Sequence, residues 1–183
     1  TGAITNAGSR TITLNGTAST LTMGGLMTNT VGGTQTTTVN GAGNTFSLGS
    51  YALANSGTSR TGVFAGTGNV TVTGIISNGS TATASPLQYT GTGTCTLSGA
   101  NTYDGLTTLN SATGTLTLSC DNSGATGGVT LTTGTLNINN ANALGTGAFT
   151  ITAGTIDNST AGSITNSGNN AQSWNGDFTF TGT

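Results

Sequence analysis

No lysine, glutamate or histidine occurs among the 183 residues of this chain. Charge is confined to Arg10 and Arg60 and to Asp104, Asp121, Asp157 and Asp177, a formal net charge of −2. Two arginines cannot lay a track along a phosphate backbone, so nucleic acid is excluded as a partner. Without histidine there is no Ser-His-Asp triad, and two cysteines in these positions do not make a zinc site. Proline occurs once, at Pro86, and no apolar run approaches the ~20 residues of a membrane-spanning helix. No basic segment followed by an apolar one opens the chain, so any export signal is expected to be removed or to lie outside this segment. A surface nearly free of charge offers little repulsion between molecules and favours association.

Threonine is the commonest residue, and with Gly, Ser and Asn it makes up well over half of the sequence. Polar low-complexity chains usually stay disordered because they cannot bury enough apolar surface to offset ordering entropy. Here the apolar residues are regularly spaced, alternating with Thr over short runs and punctuated by Gly or Asn-Gly. That is a strand-and-turn pattern, with β-branched Thr suited to strands and Gly and Asn tolerant of positive φ. It predicts strands at Thr11–Asn15, Thr20–Met23, Thr36–Val39, Thr45–Leu48, Val70–Ile76, Thr94–Ser98 and Thr115–Ser119. Val129–Thr132, Thr135–Asn139, Phe149–Thr152 and Phe178–Phe180 continue the series. Ile12, Leu14, Leu21, Met23, Leu116, Leu118, Leu136 and Ile138 fall on one side of their strands, with Thr or Asn opposite.

A unit recurs in the second half. Gly93-Thr94-Cys95-Thr96-Leu97-Ser98, Gly114-Thr115-Leu116-Thr117-Leu118-Ser119, Gly134-Thr135-Leu136-Asn137-Ile138-Asn139 and Gly154-Thr155-Ile156-Asp157-Asn158 open 21, 20 and 20 residues apart. A unit this small cannot bury its own apolar face, so copies must stack. The expected fold is all-β, a parallel β-helix (β-solenoid) with coils of about 20 residues. Leu116, Leu136 and Ile156 form one ladder, Leu118 and Ile138 the next, and Val129 with Leu131 and Phe149 with Ile151 supply the second strand of each copy. Asn at strand ends (Asn15, Asn40, Asn110, Asn139) can bond along the stack or close a turn. The competing architecture is an antiparallel β-sandwich with Gly-rich hairpins. The chain reads as a single domain over 1–183, with irregular coils over 1–90 and regular coils over 91–183. In the first part Arg10–Gly16 with Ser19–Gly25, and Gln35–Gly41 with Asn44–Gly49, look like paired short strands. Ser77–Leu87 is a candidate loop or small insertion.

The run Gly93-Thr94-Cys95-Thr96-Leu97-Ser98-Gly99-Ala100-Asn101-Thr102-Tyr103-Asp104-Gly105 resembles the autotransporter-associated β-strand repeat, also called the passenger-associated transport repeat. Asn137–Phe149 and the ending Trp174–Phe180 are similar to segments common in such proteins, and the resemblance covers about Gly91 to Thr183. It implies a right-handed parallel β-helix on a secreted or surface-displayed bacterial protein, in which the repeat assists folding and export of the passenger. No catalytic residue belongs to the repeat. Cys95 stands where the repeat has Leu, and Cys120 where it has the closing Gly. An extracellular setting favours a disulfide between them. Register opposes it, because Cys95 aligns with Leu116 and leaves Cys120 four positions further along, ~13 Å away on a straight strand.

Parallel β-helices often act on polysaccharides, by clustered carboxylates with Ca²⁺ or by paired carboxylates. The four aspartates are the entire supply here, and only Asp104 and Asp121 lie in successive copies where a turn could bring them together. The expectation is therefore a protein that is not an enzyme and has no cofactor, metal or catalytic residue. Sugar binding needs only aromatics and amides, and Tyr51, Tyr89, Tyr103 and Trp174 are its candidates, with Tyr51 and Trp174 the ligand contacts to test. Asn15, Asn69, Asn78 and Asn158 fit the N-glycosylation sequon, a match that a chain this rich in Asn, Ser and Thr makes by chance. Neither end carries a capping helix or charged edge. The functional expectation is an extracellular or bacterial cell-surface structural subunit stacking head to tail with copies of itself into a filament or stalk. The alternative is a passenger-type adhesin engaging glycans or host and matrix surfaces.

Overall fold

The computed structural model of the chain describes residues 2–80 and 83–182. Thr81 and Ala82, inside the expected loop Ser77–Leu87, lie outside the described residues. A single 16-stranded sheet winds through them, with no helix among the described residues. Every strand pairing is parallel. Hairpins would pair antiparallel, so the sandwich is excluded and the chain is a parallel β-helix.

Each coil visits three faces in turn. One face stacks the first part of Thr20–Asn29, the first part of Thr45–Ala54, then Asn69–Val72, Thr94–Leu97, the last part of Thr107–Leu118, the last part of Val129–Ile138, Thr155–Asp157 and Thr179–Phe180. A second stacks Ile4–Asn6, the ends of Thr20–Asn29 and Thr45–Ala54, and Ile76–Gly79. The third runs from Arg10–Thr13 through Gly33–Asn40, Arg60–Ala65 and Leu87–Tyr89 to Phe149–Ile151 and Gln172–Trp174. On the first face one inward position is occupied in order by Leu21, Phe46, Val70, Cys95, Leu116, Leu136, Ile156 and Phe180, eight rungs of one ladder. The six inner rungs are all buried, and Met23, Leu48, Val72, Leu97, Leu118 and Ile138 form the ladder beside them. Apolar residues two apart face the interior while the Thr between them faces water, and stacking joins all coils into one core.

Coil length varies, and this is where the first half departs from expectation. Thr94 faces Thr115, Thr115 faces Thr135 and Thr135 faces Thr155, steps of 21, 20 and 20 residues. Thr20 faces Thr45, a step of 25, and Arg10 faces Thr37, a step of 27. The longer coils carry a full strand on the second face, which the shorter coils reduce to turns. The first half is thus part of the same solenoid, with larger coils of varying length. The local strand pairs expected there do not form. Arg10–Thr13 pairs with the strand one coil on, Gly33–Asn40, and Thr20–Asn29 pairs with Thr45–Ala54. The expected strand Val70–Ile76 divides into Asn69–Val72 and Ile76–Gly79 around a corner at Gly74.

The corners explain the glycines. Gly134 and Gly154 both sit at φ 111°, and a Cβ on Gly154 would lie 2.6 Å from the Gly134 carbonyl oxygen, itself at the same corner one coil earlier. Coils only ~4.8 Å apart leave no room for a side chain turned along the axis. Asparagine amides satisfy the polar groups the corners bury. Asn101 Oδ1 accepts the Ile76 N–H at 2.8 Å, and Asn101 Nδ2 donates to Asn122 Oδ1 at 3.0 Å. Asn122 Nδ2 then donates to the Ala143 carbonyl at 2.8 Å. Asn6, Asn29 and the Tyr51 hydroxyl make a shorter chain of the same kind at 2.8 and 2.7 Å. Of the strand-end asparagines expected to bond along the stack, Asn139 does, to Ser159 one coil on.

Candidate functional site

The structure separates the candidates sharply. Tyr51 is 1% exposed, its ring packed 5.5 Å from that of Phe64 and its hydroxyl accepting from Asn29. It is a core residue and cannot contact a ligand, which corrects the sequence expectation. The period-two alternation that turns Tyr51 inward, over Met27 and under Ile76, was readable in Ser50-Tyr51-Ala52-Leu53. Tyr89 and Tyr103 are buried as well, and the Tyr103 hydroxyl lies 2.5 Å from Thr107 Oγ1. Burial pushes all three phenols above their ordinary range.

Cys95 and Cys120 are free thiols. Cys95 occupies the first-face ladder between Val70 and Leu116, the register that opposed a bridge. Cys120 follows at the next corner, where the earlier coils carry glycine. A Cβ on Gly49 would lie 2.1 Å from the Gly24 carbonyl oxygen, and one on Gly99 would lie 2.0 Å from that of Gly74. At this corner the Cys120 thiol donates to the Gly99 carbonyl instead. Burial raises both thiols and so favours their protonated form.

Asp104 and Asp121 do not pair. Asp104 accepts from Asn78 Nδ2 and Thr126 Oγ1, each at 2.8 Å. Asp121 accepts from the Ser123 N–H at 2.8 Å and from Asn142 Nδ2 at 3.1 Å, contacts that hold its carboxyl below the usual range. Asp104 ties together the coils on either side of its own, and Asp121 closes a local turn and ties it to the next coil. Among the described residues no three His, Cys, Asp or Glu side chains converge as metal ligands. Asn78 and Asn158, two of the four sequons, are buried and hydrogen-bonded within the fold.

The surfaces that stand out are the outermost coils. Leu21 and Phe180 end the eight-rung ladder and are 39% and 59% exposed, against at most 8% for the rungs between them. Met23 is exposed beside Leu21, and Ile4 and Ile12 are half-buried around an open depression of about 280 Å³ that reaches Met27 and Phe46. Arg10 sits on this rim, its guanidinium donating to the Ser9 and Ala7 carbonyls. At the other end Trp174 is 67% exposed, edge-on to Phe178 at 5.3 Å, with Asn175 and Asp177 beside it. Trp174 is the third-face rung that follows Ile151. Of the sequence candidates, Trp174 alone reaches solvent as a large aromatic. Leu21 and Phe180 were legible only as strand residues, because exposure at a ladder's end depends on which coil is outermost. No family model, curated protein or solved structure matches the chain. The likeness to the autotransporter-associated repeat therefore rests on the residues quoted for it.

Proposed function

We propose that this chain is a non-enzymatic structural β-solenoid of an extracellular or bacterial cell-surface filament or stalk, extended by end-to-end stacking with copies of itself. One observation carries the reading: parallel strands stack into a single apolar ladder in which each rung is buried by the coils on either side, a core that lengthens simply by adding coils. A parallel stack of this kind offers its strand edges as templates for further strands. With a net charge of −2 and few charges of either sign, little opposes such contact. A head-to-tail contact that does not close generates an open filament. The test is size-exclusion chromatography and electron microscopy of the purified chain. The reading predicts concentration-dependent filaments of one coil's width; a monodisperse monomer at high concentration refutes it.

The exposed pair Trp174 and Phe178, next to Asn175 and Asp177, favours one second reading, an adhesin-type surface that stacks on sugar rings. Saturable glycan binding by the monomer, abolished in Trp174→Ala with the far-UV spectrum unchanged, would select it over the filament.

A further inference from the structure

We infer that the outward side of the first face is an ice-binding surface, on which two rows of hydroxyl-bearing side chains hold water in the arrangement of an ice plane. Such a surface needs only the stacked coils, so it goes beyond the filament reading and does not depend on it.

The rows follow from the alternation that builds the core. Residues between the inward ladders of the first face point outward, and stacking brings equivalent ones side by side. One row carries Thr45, Thr94, Thr115, Thr135 and Thr155, with Asn69 between the first two. A second, two residues further along each strand, carries Ser47, Thr71, Thr96 and Thr117 before it turns to Asn137 and Asp157. Over these positions the strands pair in unbroken register, without the bulges that would bend the rows. The third face does not share the pattern, because its outward row passes from Thr36 to Val63 and Gln88 before it reaches Thr108. A general preference for threonine in strands therefore does not account for the rows.

Spacing, free hydroxyls and the lack of charge select the occupant. Neighbours within a row lie ~4.8 Å apart and the two rows ~6.6 Å apart. The oxygen lattice of hexagonal ice repeats close to both distances, slightly shorter in one direction and slightly longer in the other. β-Branching confines each threonine to few rotamers, and its neighbours in the stack half-bury most of them, so little side-chain freedom is left to lose on binding. The hydroxyls of Thr45, Thr71, Thr94, Thr96, Thr115 and Thr135 make no hydrogen bond among the described residues. By contrast, those of Thr73 and Ser119, at the next corner, turn back onto the Leu48 and Leu97 carbonyls. The rows hold no charge before Asp157 and no aromatic ring. A neutral lattice of water fits that chemistry, whereas a charged polymer calls for countercharge and a sugar face for a ring to stack on.

Thermal hysteresis of the purified chain, with ice-crystal shape followed by microscopy, tests the surface. The wild-type chain should hold back ice growth below the melting point and shape the crystal. Thr96→Tyr stands a bulky ring in the middle of the array and should lose most of that effect with an unchanged far-UV spectrum. Thr108→Tyr, an outward change on the third face, should keep it. A folded wild-type chain without hysteresis or crystal shaping would overturn the inference. Equal loss in the two variants would overturn its placement on the first face. Co-sedimentation with crystalline cellulose that Thr96→Tyr abolishes, in a chain without effect on ice, would assign the face to a polysaccharide instead.

Discussion

The same chemical change should have different consequences at two places on one ladder. Leu136 is fully buried between Leu116 and Ile156, whereas Leu21 is 39% exposed on an outermost coil. Leu→Ala removes three carbon groups, about 2.4 kcal/mol of transfer free energy at about 0.8 per methylene. At Leu136 the coils on either side are held by their own hydrogen bonds and cannot collapse into the space, so a cavity term brings the loss to about 3–4 kcal/mol. At Leu21 only about three-fifths of the transfer term applies and water fills the space, giving about 1.5 kcal/mol. Urea unfolding followed by far-UV circular dichroism measures both; Trp174 fluorescence would report only its own exposed coil. In the filament, the order reverses. Leu21→Ala should raise the critical concentration for assembly severalfold, and Leu136→Ala, compared under conditions where it is folded, should leave it nearly unchanged. Equal destabilisation by the two substitutions would refute the ladder account, because it would mean that Leu136 is no more enclosed than Leu21.

Further outcomes follow from the corners and the buried groups. Gly134→Ala should cost more than about 1 kcal/mol, because φ is 111° and the new Cβ would lie 2.8 Å from the Ser111 carbonyl oxygen, while Gly57→Ala, with open space around it, should be neutral or slightly stabilising; urea midpoints compare them. Asn122→Ala leaves the Asn101 amide groups and the Ala143 carbonyl without their partner and should cost about 2–4 kcal/mol by the same assay. Stability should be flat from about pH 5 to 8, because the chain has no histidine. The Asp121 carboxyl is held low in the folded state, so its contribution is present above the unfolded carboxylate range and is lost as pH falls through the folded value. The Cys95 and tyrosine groups are held high, so theirs is present below the unfolded thiol and phenol ranges and declines as pH climbs above about 9. A thiol reagent should leave Cys95 and Cys120 unmodified until urea unfolds the chain.

The Gly-Thr spacing carried most of the fold. It placed Leu116, Leu136 and Ile156 in one ladder and Cys95 opposite Leu116, both of which the register bears out. The first half was harder because its coils step by 23 to 27 residues, and a period that drifts leaves no repeat to align. Lacking that period, neighbouring runs such as Arg10–Gly16 and Ser19–Gly25 looked like local pairs, although parallel strands need a whole coil between them. Among candidate residues, Tyr51 has the side-chain type of a ligand contact, but its place in an alternating strand turns it inward. The open ladder ends could not be read from Leu21 or Phe180, since the same residue one coil further in would be core.

The most direct measurement is the axial repeat of the assembled material. Fibre diffraction or cryo-electron microscopy of filaments grown from this chain should show strands ~4.8 Å apart along the filament axis, continuing through the subunit junction without a gap. Filaments with strands running along the axis, or a chain that stays monomeric at high concentration, would contradict the account.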